Sequence, residues 1–278
     1  MNTSIPERFF FTHRGLRLSW LDSAPGDAQR AVVVLLHGFP DEALMWQRQM
    51  AALHAEGFRV IAPDTVGCGQ SDMAQKRRDY DAQTVAADHI ALLDHLGVTQ
   101  AQFVGHDWGA VIAWYVAIYF PQRVRKLAVL SVGHPTSYGR AGWKQKLLGW
   151  YTIYFQLVGI AEWLLMRRGP LGLRYWLRSH PHIDAIIERM RAPGRLTAAI
   201  RLYRANLVSI LLKVHPDVTV PTLGVWSERD DFLTEAQMTA SARRVRGSWQ
   251  YQRIAGGHWM SLEQPARVNQ ILLDYLEL

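Results

Sequence analysis

The sequence predicts an α/β protein: a mostly parallel central sheet covered by helices on both faces and interrupted once by an all-helical insertion. Three observations carry that prediction. Apolar strand-like runs alternate with segments of helical spacing over roughly the first 130 residues, a pattern that implies parallel strands joined by crossover helices. From about His134 to His215 the alternation stops, and Trp, Tyr, Leu and Arg recur at helical spacing with no clear strand. After Pro221 the alternation resumes. The expected organisation is therefore a core of residues 1–133 and 216–278 with a helical lid at 134–215.

Taken in order, Arg8–His13 and Leu16–Leu21 flank the turn residues Arg14 and Gly15 and predict a hairpin. Ala31–Leu36 is a continuous apolar run, as a strand buried on both faces requires. A helix at Trp46–His54, a strand at Phe58–Ala62 and the glycine-rich turn GCGQSD follow. Gln83–Leu96 carries helical spacing and stops at Gly97. Then come a strand at Ala101–Val104, a helix at Trp108–Tyr119 ended by Pro121, and a strand at Lys126–Val132. Beyond the insertion, strands are expected at Thr222–Trp226 and Trp249–Ile254, with helices near Glu235–Arg244 and at Gln264–Leu276.

Hydrophobic residues at 49% and charged residues at 20% describe a folded domain and exclude a disordered chain. MNTSIPERFFFTHRG contains no apolar stretch of secretory-leader length. No run of about 18 apolar residues occurs, so no membrane insertion is expected. Cys68 is the only cysteine, which rules out an intrachain disulfide. Together these point to the cytoplasm. The net charge of +7 is uneven: residues 134–215 hold 13 Lys/Arg against 3 Asp/Glu, the remainder 18 against 21. A basic lobe can attract anionic partners, but no nucleic-acid motif accompanies it. The expectation is a solvated, arginine-rich surface without a nucleic-acid partner.

The chemistry is concentrated in FVGHDWGA, residues 103–110. It runs strand, Gly-x-Asp-x-Gly, helix, which is the nucleophile turn of the α/β hydrolases with Asp107 where serine usually stands. An aspartate there could also act as a helix cap, but a cap needs no flanking glycines, and Gly105 and Gly109 are both present. A carboxylate is already an anion at neutral pH. Attack on an acyl carbon would give an anhydride, whereas displacement at a saturated carbon gives an alkyl ester that water can cleave. The implied substrates are epoxides or alkyl halides.

Ester cleavage needs a water activator, a group to orient it and oxyanion donors. His258 follows the last predicted strand and is the expected base; Asp230 follows the preceding strand, with Asp231 as an adjacent rival. The chain order Asp107, Asp230, His258 is that of the fold's triads. The oxyanion donors are expected at the backbone N–H groups of Phe39, in HGFP, and Trp108.

HGFP, GHDWG, YFQLVGIAEW and GGHW together resemble the soluble epoxide hydrolases, over about Leu16 to Leu276. The resemblance implies two lid tyrosines that grip the epoxide oxygen, which by local context are Tyr151 and Tyr203, with Tyr154 one helical turn from the first. It also implies a cis bond before Pro40, and a substrate site lined by Phe39, Pro40, Trp108, Tyr151, Tyr154, Tyr203 and Trp259. The expected ligand is a small apolar epoxide and the expected assembly a monomer or homodimer. The alternative is a haloalkane dehalogenase using the same nucleophile. Trp108 could hold a halide, but Phe39 has no side-chain donor to help it. His37, His106, His180 and His182 lack metal-ligand company in the sequence, so no metal or organic cofactor is expected.

Overall fold

The computed structural model describes residues 6–277, so the reading of the amino-terminal stretch falls partly on residues 1–5, outside the described residues. Strands β1 (Glu7–His13) and β2 (Leu16–Asp22) form the expected antiparallel hairpin. Arg14 and Gly15 take φ of 52° and 73°, a two-residue turn whose twist matches that of the strands. Then follow β3 (Val32–Leu36), β4 (Arg59–Pro63), β5 (Ala101–His106), β6 (Val124–Leu130), β7 (Thr222–Arg229) and β8 (Trp249–Gly257). The sheet order is β1-β2-β4-β3-β5-β6-β7-β8, antiparallel at β1–β2 and β2–β4 and parallel elsewhere.

Both faces are covered, which explains the unbroken apolar run of β3. Val32, Val34 and Leu36 pack on one side with Phe103 and Trp114, while Val33 and Leu35 pack on the other with Leu53 and Ile271. Each such side chain contributes roughly 1.5–3 kcal/mol by leaving water. Helices Ala82–His95 and Trp108–Tyr119 cover the first face, Gln47–Ala55 and Pro265–Tyr275 the second. Asp81 caps the helix at Ala82 by accepting from the N–H groups of Gln83 and Thr84.

Some bounds differ from expectation for local reasons. β6 ends at Leu130 rather than Val132 because Ser131 takes φ of 72° and gives its N–H to the Val225 carbonyl at 2.9 Å. β7 and β8 run on to Arg229 and Gly257, carrying the sheet up to the loops that bear Asp230 and His258. Two expected helices are composite, each with a 3-10 portion, at Ala43–Trp46 and Ala240–Arg244. Cys68 is buried, and burial, with Asp64 close by, pushes its thiol up to about 12, so it is held as an unreactive thiol.

Between β6 and β7 lie the helices Pro135–Gly139, Trp143–Leu148, Tyr151–Tyr154, Ile160–Leu165, Leu173–Trp176, Ile183–Met190 and Arg195–Leu212, with no strand among the described residues from His134 to His215. Asn206 fastens this segment to the body, donating to the Tyr80 carbonyl at 2.8 Å and accepting from Ala82 N–H at 2.8 Å. Its arginines face solvent only in part: Arg204 is buried against Glu162, and Arg189 pairs with Glu42. Among the described residues no helix is long and apolar enough to cross a membrane.

Candidate active site

Asp107 stands between β5 and the helix Trp108–Tyr119 with φ 54° and ψ −122°, a conformation costly for a residue with a Cβ. Its neighbours explain the glycines. A Cβ on Gly105 would strike the backbone of Gly109 and Ala110, one on Gly109 the carbonyls of Leu36 and His37, and one on Gly38 the Asp107 side chain itself. The turn can close only because those three positions lack side chains. The Asp107 carboxylate, 13% exposed, is thereby held at the carboxyl edge of the sheet, where ligand sites form in open α/β sheets.

Phe39, reached through the cis Phe39–Pro40 bond, donates its N–H to Asp107 Oδ1 at 2.7 Å. Trp108 begins the following helix, so its N–H has no carbonyl four residues back within the helix to bind. Oδ2 faces His258 Nε2 at 3.7 Å. The other ring nitrogen, Nδ1, lies 2.9 Å from Asp230 Oδ2, and Asp230 Oδ1 accepts from the N–H groups of Phe232 and Leu233 at 2.9 and 3.0 Å. Those turn bonds fix Asp230 and leave Asp231 exposed, so the geometry brings Asp230, not its neighbour, to the histidine.

Burial disfavours a charged His258, yet the attraction of Asp230 and Asp107 outweighs it and raises the imidazole to about 10. The two carboxylates thus favour the protonated imidazole over the neutral one. His106, by contrast, is pushed down to about 4 by burial and by the neighbouring His258. A neutral His106 donates Nε2–H to the His258 carbonyl at 2.8 Å, with its ring 4.8 Å from the catalytic-candidate imidazole.

Above this edge the helices between β6 and β7 close two apolar cavities that meet at Asp107. One is lined by Trp108, Val132, Tyr138, Tyr151, Tyr203 and Leu207, among others; the second by Phe39, Phe155, Trp176, Phe232, His258 and Trp259, again with Tyr151 and Tyr203. The two tyrosine rings are 5.9 Å apart, and Tyr203 stacks edge-on to Trp108 at 5.0 Å and to Phe39 at 5.4 Å. Burial first, and with it the charge of Asp107, pushes both phenols well above their ordinary range. Both hydroxyls hold their protons at neutral pH.

Two expected lining residues lie elsewhere. Tyr154 points into the helical layer, where its hydroxyl lies 3.4 Å from the carbonyl of Ala161 and 3.5 Å from that of Leu171, because the three-residue offset from Tyr151 turns it onto Trp150 instead of Asp107. Pro40 is buried behind Phe39 and lines neither cavity. Tyr138 was missed: it lines the first cavity, its phenol pushed up to about 12 by burial and by Asp107. The five-residue helix Pro135–Gly139 is too short to show a periodicity that would flag it. His106 adjoins Asp107 in the chain, and that adjacency is the signal in the sequence that points to it. Of the other histidines, His37 accepts from Thr65 N–H at 3.1 Å, and His180 faces Asp41 at 3.2 Å.

Residues 31–265 match the family model described as alpha/beta hydrolase fold. The chain is 30% identical to epoxide hydrolase 4 of Homo sapiens, over 95% of this chain and 76% of that protein. It is also 30% identical to epoxide hydrolase A of Mycobacterium tuberculosis, over 94% of each. Among solved structures, epoxide hydrolase A of Mycobacterium thermoresistibile superposes with a TM-score of 0.79 at 28% identity, covering 98% of both chains.

Proposed function

This chain belongs to the epoxide hydrolase family of α/β-hydrolase-fold enzymes, and we propose that it converts epoxides to vicinal diols through a covalent alkyl ester on Asp107. The observation that carries this reading is a strained carboxylate facing two protonated tyrosines across an apolar cavity. A carboxylate attacks saturated carbon, and an epoxide leaving group alone requires an acid at its oxygen while that attack proceeds. In this reading the segment at 134–215 is the cap that supplies the acid, and the core at 1–133 and 216–278 supplies the nucleophile and the water activator.

Oδ1 is held by Phe39 N–H, which leaves Oδ2 to form the bond to the epoxide carbon. The C–O bond of the ring breaks, and Tyr151 and Tyr203 donate hydrogen bonds to the departing oxygen. The proton count closes without an outside acid. Esterification removes the charge of Asp107, one of the two attractions that keep His258 protonated, while burial continues to oppose the imidazolium. His258 therefore releases one proton as the ring opens, and the alkoxide needs one. The neutral imidazole, oriented by Asp230, then takes a proton from water as its oxygen adds to the ester carbonyl. The resulting oxyanion sits against the N–H groups of Phe39 and Trp108, each such donor being worth roughly 2.7–4 kcal/mol of barrier. Collapse releases the diol and restores Asp107.

The first test incubates the protein with aliphatic and aromatic epoxides beside chloro- and bromoalkanes and scores diol and halide together. Diol without halide is expected. Halide without diol would overturn the reading in favour of dehalogenation with Trp108 as halide donor, and neither product would remove both.

A further inference from the structure

The described residues expose their large apolar side chains in one region. Among the described residues, every such side chain at the surface lies between Trp143 and Val214, within the helical segment. Trp143 is 67% exposed and Val158 74%, and Leu147, Ile153, Ile160 and Trp163 are all more than half exposed. Soluble surfaces carry single exposed apolar residues without consequence, but contiguous groups of them mark a contact. On the helix Ile160–Leu165, Ile160 and Trp163 share one face three residues apart, while Ala161 and Leu165 are buried on the other. The helix is amphipathic, with its outer face left uncovered.

Cations flank this apolar face. Lys144 and Lys146 interleave with Trp143 and Leu147; Arg167 and Arg168 follow Trp163, and Arg178 follows Tyr175, all of them exposed. The only carboxylate between Gly139 and Ile183 is Glu162, and it is tied to Arg204 at 2.7 Å. No carboxylate among the described residues pairs with any of those five cations. A second copy seated face to face would bring the same unpaired cations together, so the charge favours an anionic partner. Exposed tryptophans interleaved with lysine and arginine on helices too short and too polar to span are the chemistry of an interfacial helix layer.

The cavity of Asp107 is lined in part by residues of the same helical segment. Two of its partly exposed lining residues, Thr152 and Leu207, stand next in the chain to Ile153 and Val208, which are 66% and 63% exposed. We infer that this face docks on an anionic lipid bilayer and that apolar substrate passes from the bilayer past Thr152 and Leu207 to Asp107. The docking stands on the surface alone; only the passage of substrate rests on the epoxide reading.

Vesicle flotation tests it. The protein should float with vesicles of phosphatidylcholine mixed with phosphatidylglycerol at low salt, at least about tenfold better than with phosphatidylcholine alone, and the preference should fade as salt screens it. W143S/L147S/W163S should lose flotation with its turnover of a water-soluble epoxide within about twofold of the parent, since exposed positions tolerate substitution. K144E/K146E/R167E/R168E should lose the preference for anionic lipid. Wild-type protein that stays unbound from anionic vesicles at low salt overturns the proposal. So does a dimer that W143S/L147S/W163S splits into monomers, which would make the face a contact between copies. Turnover of the soluble epoxide without vesicles reports on the catalytic reading by itself, so the two fail separately.

Discussion

The floor of the site and its roof are built by different means. On the floor, Asp107, Asp230 and His258 sit at the ends of β5, β7 and β8, and backbone groups fix each of them: the strained turn and Phe39 N–H for Asp107, two N–H groups for Asp230, and the His106 bond to the carbonyl of His258. The roof is a layer of helices whose tyrosines are placed by ring contacts, Tyr151 on a four-residue helix against Phe155, Trp176 and Phe232, and Tyr203 on the long helix Arg195–Leu212 against Phe39 and Trp108. A floor held by backbone geometry should respond to substitution all at once, and a roof held by packing should respond by degrees.

The largest effect should come from the floor. Asp107→Ala removes the proposed nucleophile, and turnover should fall by roughly 10⁵–10⁶-fold, the scale seen when a covalent catalyst loses its attacking group. His258→Gln should keep alkylation but stall ester cleavage, so intact-protein mass spectrometry should show an adduct of one epoxide mass. A His258→Gln protein that turns over normally with no adduct would dissolve the distinction between floor and roof, because the floor would then hold no water activator.

The roof should answer more gradually. Tyr151→Phe and Tyr203→Phe should each slow single-turnover ring opening by about 10–100-fold, and the double variant by about 10²–10⁴-fold, the usual range for general acid catalysis. Tyr154→Phe should change it by less than about twofold, because its hydroxyl is engaged with carbonyls away from Asp107. Tyr138→Phe should fall between, since Tyr138 lines the cavity beside Tyr151. If Tyr154→Phe were as damaging as Tyr151→Phe, the roof would act through its packing and not through particular hydroxyls.

The same contrast explains what was legible in the sequence. The floor could be read because a sharp turn demands particular residues: Gly105 and Gly109 announce Asp107, and the strands ahead of Asp230 and His258 announce those positions. The choice between Asp230 and Asp231 was not legible, since it depends on which carboxylate accepts from Phe232 and Leu233 N–H, a matter of turn geometry. The roof was legible as helical but not in detail. Over four- to six-residue helices, periodicity does not fix which side faces down, so Tyr154 stands as a rival to Tyr151 and Tyr138 leaves no mark. The strand bounds at Leu130 and Gly257 shifted for a related reason, because sheet ends follow from turn conformations such as that of Ser131.

An effect on stability tests whether the roof has a polar fastening of its own. Glu162 accepts from Arg204 Nη1 and Nη2 at 2.7 and 2.9 Å and from Gly159 N–H at 2.8 Å, while Arg204 Nε donates at 2.7 Å to the carbonyl of Phe155, which lines the cavity at Asp107. Burial disfavours the Glu162 carboxylate, but the Arg204 hydrogen bonds prevail and draw it down to about 2. A folded-state value below the unfolded one adds stability that is present above about pH 4.5 and is lost as pH falls toward 2. The roof should therefore loosen over that window, read as amide exchange at residues 151–165 rising before exchange in β5 and β6. Glu162→Gln should cost roughly 1–2 kcal/mol of stability and flatten that acid dependence, with ring opening slowed and the His258 step unchanged. Equal acceleration of exchange in roof and sheet would show that the two regions unfold as one unit, and the contrast between them would then belong to catalysis and not to stability.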